Sequence, residues 1–452
     1  MLKGMSGAAT TLGCKVNQAE TDSMLDMLKA AGANIVEFDE KADIYIVNTC
    51  SVTNIADKKS RQMLHRARKM NPDGIVIAAG CYVQSAREIL EQDEAIDIVI
   101  SNNKKKSITE IVNDYINVRN NEKNAPGKDH EAMEYFVDIS RETEYEEMGG
   151  HVPVGHTRAY VKIQDGCNQF CSYCIIPYVR GRIRSRSQEA ILAEVSELAE
   201  AGIKEVVLTG IHISSYGKDK NNEGALIELI EAISKIKGIK RIRLGSLEPG
   251  IITEEFVERI SSNSKVCPHF HLSLQSGCDS VLKRMNRKYT CEQYFEKCDM
   301  LRKAYKSPAL TTDVIVGFPG ETEEEFAETV RYLTELNLYE MHIFKYSPRK
   351  GTVAAAMKEQ VAPEIKNERS DVLLKLAHDN KTAYEAQFEG CELEVLVEEV
   401  VKKDNKTYLR GHTERYMDIL IDVGDISMPE SFVNSFVYVT YTQNGGNLPL
   451  LL

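Results

Sequence analysis

The chain has 452 residues, of which 42% are hydrophobic, so it can bury several cores and we expect two to four domains. Its formal net charge of −12 argues against a uniformly basic nucleic-acid coat but is compatible with a local basic patch. The sequence contains no apolar run near the roughly 18 residues that span a membrane, and its first residues lack the apolar core of a secretion signal. We therefore predict a cytoplasmic protein without a membrane partner.

The first hundred residues alternate between strand and helix patterns. Strand patterns cover residues 9–14, 43–50, 74–81 and 95–100, and helix patterns cover residues 17–33 and 54–70. Such alternation is typical of a parallel, doubly wound sheet. We therefore predict an N-terminal α/β domain over residues 1–115, followed by a polar linker over residues 116–157.

Strand and helix patterns alternate again after the predicted linker. About six such units run from "RAYVKIQDG", which begins at residue 158, to "EMHIFKYS", which begins at residue 340. This number of units predicts a partial (β/α)6 barrel over residues 158–378, with its chemistry at the C-terminal ends of the strands. The strand patterns that follow are interrupted by glycines and predict a small all-β domain over residues 379–445.

Three cysteines of the first domain each stand just past a predicted strand. They are Cys14, Cys50 and Cys81. In a parallel sheet these strand ends lie along one edge, where ligands bind. The three thiols could therefore converge on one cluster, although three buried cysteines in apolar strands are also a common arrangement. The repeated placement leads us to favour the cluster site.

A second group of cysteines is tightly spaced in the sequence. Cys167, Cys171 and Cys174 follow the spacing C-x3-C-x2-C directly after a predicted strand. A structural zinc site usually takes four ligands, often as two C-x2-C pairs, and no equally tight partner pair occurs here. A 4Fe–4S cluster normally takes four thiolates, so three thiolates leave one iron open. That iron is useful only if another ligand, such as an amino and carboxylate pair, binds it.

This spacing, with Tyr173 before the third cysteine and a barrel pattern downstream, resembles the radical S-adenosylmethionine (SAM) superfamily. With "GCKVNQAET", "NTCSVT" and "AAGCY" around the first three cysteines, nearly the whole chain resembles the methylthiotransferases. The resemblance implies an N-terminal methylthiotransferase domain, a radical SAM barrel and a C-terminal TRAM domain. It also implies SAM and two 4Fe–4S clusters as cofactors, with one cluster on each cysteine triplet.

Segments around the cysteines indicate a branch of this family. "TGIHISSYG", "SLEP", "LQSGCDSVLKRMNRKYT", "DVIVGFPGET" and "YSPRKGTVAAAM" resemble the enzymes that methylthiolate C2 of N6-threonylcarbamoyladenosine at position 37 of tRNA. Other branches act on isopentenyladenosine of tRNA or on an aspartate of a ribosomal protein, and both remain alternatives. An alternative of another class is an iron–sulfur protein that binds RNA or senses redox state without turnover.

The resemblance further implies which residues contact SAM. These are Tyr173 and residues near the ends of later strands, namely Thr209, Gly210, Ser246, Glu248, Gln275, Arg287, Val316 and Gly317. Arg287 is expected to pair with the SAM carboxylate, because a guanidinium suits that geometry. Val316 and Gly317 are expected to flank the adenine.

The mechanism implied by the resemblance uses SAM twice. One molecule methylates sulfur held on the N-terminal cluster, and another is cleaved to a radical that removes hydrogen from the adenine. The implied partners are therefore tRNA, a sulfur source, and an electron donor such as flavodoxin or ferredoxin.

Three groups of basic residues are candidates for tRNA contact. Arg180, Arg182, Arg184 and Arg186 alternate and would share a face in an extended segment. Lys58, Arg61, His65 and Arg68 follow helical spacing after Cys50. In the last domain, where acidic residues outnumber basic ones, the candidates are Arg410, His412 and Arg415. Solvated charged faces are the common alternative, but the first two rows lie close to predicted cluster ligands, so we favour RNA contact.

Overall fold

The computed structural model describes residues 2–122, 132–149, 157–404, 406–424, 428–443 and 445–447. The N-terminal elements are β1 (Ser6–Thr11), α1 (Lys15–Ala30), β2 (Asn34–Ile35), β3 (Ile44–Thr49), α2 (Asn54–Met70), β4 (Ile75–Gly80), α3 (Cys81–Ser85), α4 (Arg87–Glu91), β5 (Ile98–Ile100), α5 (Ile108–Glu122) and β6 (Met133–Tyr135). They form a parallel sheet of order β2-β1-β3-β4-β5-β6. Every residue of β3 and β4 is buried, as in a sheet covered on both faces. The predicted parallel α/β fold is confirmed.

The structure differs from the sequence prediction at the linker. Helix α5 passes residue 115 and ends at Glu122, and β6 pairs in parallel with β5. The described part of the predicted linker therefore adds a strand to the N-terminal sheet. A three-residue strand at a sheet edge carries too short a pattern to stand out in a polar sequence. Residues 123–131 and 150–156 of the same prediction lie outside the described residues.

The central domain is a partial barrel. Its elements are β7 (Arg158–Asp165), α6 (Ile176–Val179), β8 (Arg184–Ser185), α7 (Gln188–Glu200), β9 (Glu205–Gly210), α8 (Ala225–Ser234), β10 (Arg241–Leu244), α9 (Glu254–Ser261), β11 (His269–His271), α10 (Asp279–Arg284), α11 (Cys291–Ala304), β12 (Ala309–Val316), α12 (Glu323–Leu336) and β13 (Glu340–Lys345). Strands β7, β9 and β10 pair in parallel, as do β11, β12 and β13. Isolated parallel bridges, including Leu247 to Leu272, join the two sets. The predicted partial (β/α)6 barrel is confirmed.

Side chains alternate between the two faces of the barrel strands. On β9 and β10, Val206 and Ile242 pack into the main apolar core, which includes residues of helices α7 and α8. Their neighbours Glu205 and Arg243 point to the opposite, concave face. The Arg243 Nε donates to Glu205 Oε1 at 2.7 Å, and both side chains are 1% exposed. The concave face is therefore polar and charged, which suits a binding site rather than a core.

The C-terminal part is a closed five-stranded barrel. It follows α13 (Pro363–Ala386) and contains β14 (Glu392–Lys403), β15 (Lys406–Thr413), β16 (Asp418–Asp422), β17 (Phe436–Thr442) and β18 (Gly445–Asn447), in the order β14-β15-β16-β18-β17. The predicted all-β fold is confirmed, although the predicted boundary at residue 379 falls within α13. Over the described residues, no helix combines the length and apolar character required to span a bilayer.

The C-terminal barrel docks on the central domain through the turn after β15. Arg243 donates to the main-chain carbonyls of Thr413 at 3.2 Å and Glu414 at 2.9 Å. The Tyr416 ring packs against the guanidinium of Arg243 at 4.8 Å and against His269, with 5.3 Å between ring centroids. A residue of the third domain thus contacts the concave face of the second.

Candidate functional site

The three N-terminal cysteines stand at the C-terminal ends of neighbouring strands. Cys14 precedes α1 just beyond β1, Cys50 follows β3, and Cys81 follows β4. A Cβ atom built on Gly13 would lie 2.6 Å from the Sγ of Cys50, so the Cys14 turn closes directly over Cys50. Burial raises the pKa of Cys50 to about 12, and the nearby Cys81 and Cys14 thiols contribute to that rise. Metal ligation requires thiolates, so these crowded thiols fit a bound cationic cluster.

The spacing of the sulfur atoms can be compared with two kinds of metal group. In a tetrahedral zinc site with bonds of about 2.3 Å, neighbouring sulfur atoms lie about 3.8 Å apart. In neither cysteine triplet do the three sulfur atoms all lie within 4.8 Å of one another. Both triplets are therefore spread more widely than one zinc ion requires.

Arg180 reaches the N-terminal cysteine site from the central domain. Its side chain is fully buried, and Nε donates to Cys81 Sγ at 3.2 Å. Its other nitrogens donate to both carboxylate oxygens of Glu20, to Asp165 Oδ2 at 3.1 Å and to Asn17 Oδ1. Burial raises the pKa of Glu20, but Arg180, Lys105 and Lys162 outweigh it and hold that pKa well below its usual range. Arg180 thus ties the two domains together beside a predicted cluster ligand.

This arrangement contradicts the prediction that the arginine row faces tRNA or substrate. Arg184 and Arg186 are buried as well, and Arg186 pairs with Glu194 and Glu147. Only Arg182 is exposed, with its guanidinium 4.5 Å from the Phe170 ring. The alternation failed as a guide because strand β8 is only two residues long, so the four side chains do not share one face.

The second cysteine triplet lies in the loop between β7 and α6. The main-chain NH of Gln169 donates to Cys167 Sγ at 3.4 Å, and the NH of Ser172 donates to the Met285 carbonyl at 3.0 Å. Arg287 Nη1 donates to Cys171 Sγ at 3.3 Å. The loop is therefore fixed by the segment that follows α10, and a cation already stands beside its thiols.

Arg287 also organises the polar residues near this triplet. Its Nη2 donates to Glu248 Oε2 at 2.8 Å and to the Ser273 carbonyl at 3.0 Å, while Nε donates to the Tyr289 hydroxyl at 2.8 Å. His212, which the sequence prediction missed, places Nε2 3.5 Å from the same Glu248 oxygen. Its signal in the sequence was its position two residues after the end of β9. A carboxylate, a guanidinium and an imidazole thus meet beside Cys171.

The other residues predicted to contact SAM lie at several places in the central barrel. Thr209 and Gly210 end β9, and a Cβ atom on Gly210 would lie 3.0 Å from the Gln164 carbonyl oxygen. Gln275 has a φ of +78° and bridges to β12. Tyr173 packs against the cluster of apolar residues around Phe318, and Ser246 is exposed.

Val316 contradicts its predicted role beside the adenine. Its side chain is 1% exposed and belongs to the main apolar core, and its carbonyl accepts from Tyr346. The prediction failed because Val316 is an even-numbered residue of β12, and its alternation sends it away from the concave face. The NH of Gly317 donates to Glu321 Oε2 at 2.6 Å.

The two cysteine triplets are neighbours across one short segment. Arg180, which contacts Cys81, is only six residues after Cys174, so their Cα atoms are at most about 22 Å apart. Ile175 and Val179 pack directly on Cys81, and Asn102 donates to the Val179 carbonyl at 2.7 Å. The segment that follows Cys174 therefore packs against a cysteine of the other triplet.

The other basic candidates are largely engaged within the protein. Arg68 pairs with Asp97 and donates to the carbonyls of Pro72 and Gly74, and Arg61 donates to the Tyr82 hydroxyl. His65 contacts Asp93 at 3.0 Å, while Lys58 is exposed. The sequence showed helical spacing but not these partners, which come from later loops and from α3.

In the C-terminal barrel, Arg415 contradicts its predicted RNA contact. It donates to the carbonyls of Ser307 and Lys306, both at 3.0 Å, and so belongs to the docking surface. His412 contacts Glu398 at 2.9 Å. Arg410 is 43% exposed but pairs with Asp418 and Glu399.

Gly13 offers a test of the N-terminal site. Its φ is +99°, and a methyl group there would collide with Cys50 Sγ, so we expect Gly13→Ala to displace a ligand and halve the bound iron, from about eight to about four atoms per chain. Gly4→Ala is the matched control, because Gly4 has a φ of +91° but nothing within 4 Å of its added Cβ. Iron analysis after anaerobic reconstitution compares the two. Equal iron in both variants would contradict a cluster over Gly13.

Two segments of the chain match known protein families. Residues 161–333 match the radical SAM superfamily and residues 7–101 match a family described as uncharacterized protein family UPF0004. In fold, the chain is similar to the radical SAM methyltransferase TsrM from Kitasatospora setae, with a TM-score of 0.57, 15% identity, and coverage of 78% of this chain and 77% of that one. The barrel with its cysteine loop therefore defines a radical SAM enzyme.

Relatives with higher identity extend over nearly the whole chain. The threonylcarbamoyladenosine tRNA methylthiotransferase MtaB of Bacillus subtilis is 40% identical over 91% of this chain and 89% of its own length. The tRNA-2-methylthio-N(6)-dimethylallyladenosine synthase of Thermoanaerobacter pseudethanolicus is 36% identical over 96% of this chain and 90% of its own length. The chain belongs to the radical SAM methylthiotransferase family. Its cofactors are SAM and two 4Fe–4S clusters.

Proposed function

We propose that this protein transfers a methylthio group to C2 of N6-threonylcarbamoyladenosine at position 37 of tRNA. The observation that carries the proposal is the presence of two cysteine triplets, one on a radical SAM barrel and one on the domain before it, with the segment after Cys174 packed against Cys81. The name of the 40% identical Bacillus subtilis relative supports the threonylcarbamoyl substrate. A sulfur source and an electron donor such as flavodoxin or ferredoxin complete the proposed reaction.

The two triplets take different proposed roles. Cys167, Cys171 and Cys174 hold the cluster that binds SAM, while Cys14, Cys50 and Cys81 hold the auxiliary cluster. Together with its cluster, SAM supplies a 5′-deoxyadenosyl radical, and the chemistry belongs to these cofactors rather than to side chains.

The side chains of the protein bind and orient the cofactors and the substrate. Arg287 is held on three sides by Glu248, Tyr289 and the Ser273 carbonyl, so its guanidinium stands rigidly beside Cys171. In this position it offsets thiolate charge and can pair with a carboxylate. Arg180 and Cys81 are buried together with Ile175 and Val179, so water is excluded from the contact between the guanidinium and the Cys81 thiol. A dry site protects a carbon radical from side reactions.

The tRNA is proposed to approach over the exposed cations that remain from the predicted rows. These are Lys58 on α2 and Arg182 in the segment after the cysteine loop. Position 37 lies in a loop of tRNA, where a base leaves its stack at a cost of a few kcal/mol. Lysine and arginine contacts to phosphates make binding weaker as salt increases.

The substrate assignment can be tested with two tRNA preparations. We expect the anaerobically reconstituted enzyme to methylthiolate tRNA carrying N6-threonylcarbamoyladenosine and to leave tRNA carrying N6-isopentenyladenosine unmodified. The physical difference is a carboxylate, which one substituent has and the other lacks. Mass spectrometry of the digested nucleosides measures both products.

The same assay separates the alternatives. Equal activity on the isopentenyl substrate would overturn the substrate assignment and favour the activity named in the Thermoanaerobacter relative. Formation of 5′-deoxyadenosine without any methylthio nucleoside on either tRNA would favour another substrate, such as a ribosomal protein. Lack of both would favour a protein without turnover.

A further inference from the structure

Three potential metal ligands, none of them a cysteine, meet on the concave face of the barrel. His271 ends β11, Asp313 lies within β12 and His342 lies within β13. These three strands are neighbours in one parallel sheet, with Asp313 opposite His342 and His271 opposite Thr311. Residues paired in this way point to the same face. The sheet register alone therefore brings the three side chains together.

The distances fit a single ion. One ligand atom from each residue lies within 4.8 Å of the other two, which holds for no other such group among the described residues. The Nε2 of His271 is 3.4 Å from Asp313 Oδ2. Two ligands at about 2.1 Å from a tetrahedral ion are about 3.4 Å apart. The imidazole rings of His271 and His342 are stacked, with centroids 5.8 Å apart and planes at 23°.

The hydrogen bonding of His271 favours ligation by Nε2. Its Nδ1 lies 3.0 Å from the Thr311 hydroxyl oxygen. With the proton on Nδ1 donated to that oxygen, the Nε2 lone pair is directed at Asp313. Metal-binding histidines are commonly oriented in this way through the nitrogen that does not touch the ion.

The site is accessible from the concave side. Asp313 is 31% exposed and His271 13% exposed, and His342 is an exposed residue. An ion held by two imidazoles and one carboxylate would keep open positions for water or for an oxygen of a bound molecule. This ligand set suits first-row transition ions such as Zn²⁺, Fe²⁺ or Mn²⁺.

We propose that His271, Asp313 and His342 bind a divalent transition-metal ion, separate from both iron–sulfur clusters. The site is independent of the proposed tRNA substrate, because it requires only the register of three strands and the orientation of His271.

Zinc binding by the reconstituted enzyme tests the proposal. The clusters occupy the six cysteines of the triplets, so anaerobic dialysis against zinc followed by elemental analysis should find one zinc per chain with the iron unchanged. Asp313→Asn and His342→Ala should each lower the bound zinc at least tenfold. His378→Ala, which removes an exposed histidine of α13, is the matched control and should keep it.

X-ray absorption at the zinc edge identifies the ligands independently. We expect a nitrogen and oxygen shell near about 2.0–2.1 Å with an imidazole signature, whereas thiolate ligands would give distances near about 2.3 Å. No zinc above background, a sulfur shell, or undiminished zinc in both site variants would each overturn the proposal. Unchanged iron content and circular dichroism in the variants exclude a failure to fold.

Discussion

Arg180→Ala should destabilise the protein by about 3–5 kcal/mol, because it leaves buried carboxylates without their main partner. Glu20 is 1% exposed and Asp165 is 7% exposed, and both accept hydrogen bonds from the Arg180 guanidinium. Lys105 and Lys162 remain beside Glu20, but neither reaches Cys81 in the way that Arg180 Nε does. We also expect the variant to bind less iron on the N-terminal triplet. The melting temperature and iron content of anaerobically purified protein measure the two effects.

Arg182→Ala is the matched control for this substitution. Arg182 lies two residues away in the same segment, but its side chain is exposed and stacks on Phe170. A surface substitution of this kind usually changes stability by no more than about 0.5 kcal/mol. Arg180→Lys should recover only part of the loss, because lysine cannot donate from five directions at once. Equal melting temperatures for Arg180→Ala and Arg182→Ala would contradict the interdomain role of Arg180.

Removing each cysteine triplet should separate two activities of the enzyme. The triple variant Cys14→Ala, Cys50→Ala, Cys81→Ala should keep about half of the iron, about four atoms per chain. It should still cleave SAM reductively to 5′-deoxyadenosine, because it keeps the other triplet, with Arg287 and its partner Glu248 beside Cys171. It should form no methylthio nucleoside. The triple variant at Cys167, Cys171 and Cys174 should lose both the cleavage and the product.

Three measurements on the same samples decide this division of roles. Iron analysis counts the clusters, chromatography quantifies 5′-deoxyadenosine, and mass spectrometry of tRNA nucleosides detects the product. Cys391→Ala removes an exposed cysteine just before β14 and should change none of them. Normal methylthio product from the N-terminal triple variant would show that those three cysteines hold no group that the reaction requires.

The fold was predictable where periodic patterns are long, and the site only in part. Strands such as β4, with six consecutive buried residues, carry a pattern that reveals both their type and the position of the cysteine that follows. Glu20 could have been suspected, because it is an acid on the buried side of α1 beside Val16 and Met24. Its partner Arg180 is 160 residues away, and no local pattern reveals such a distance.

Charge patterns were the least reliable guide to function. Alternating or helically spaced arginines predicted a surface for RNA, yet Arg68, Arg180 and Arg415 are engaged by carboxylates or main-chain carbonyls from distant segments. A guanidinium has five donors and is as well suited to joining domains as to binding phosphate. The sequence shows the cation but not which of these partners will meet it.

The turn that contains Tyr416 makes the C-terminal barrel part of the wall of the central barrel. Arg243 donates to the carbonyls of Thr413 and Glu414, so the turn after β15 covers the concave face of the central barrel at this residue. A protein truncated before residue 379 would admit water to the charged pair of Arg243 and Glu205. Loss of activity in such a truncation could therefore have two causes. One is the entry of water into the central barrel, and the other is the loss of RNA contacts made by the C-terminal barrel. Substitutions on the surface of the C-terminal barrel, away from the turn after β15, are a more direct way to measure the affinity of this barrel for RNA.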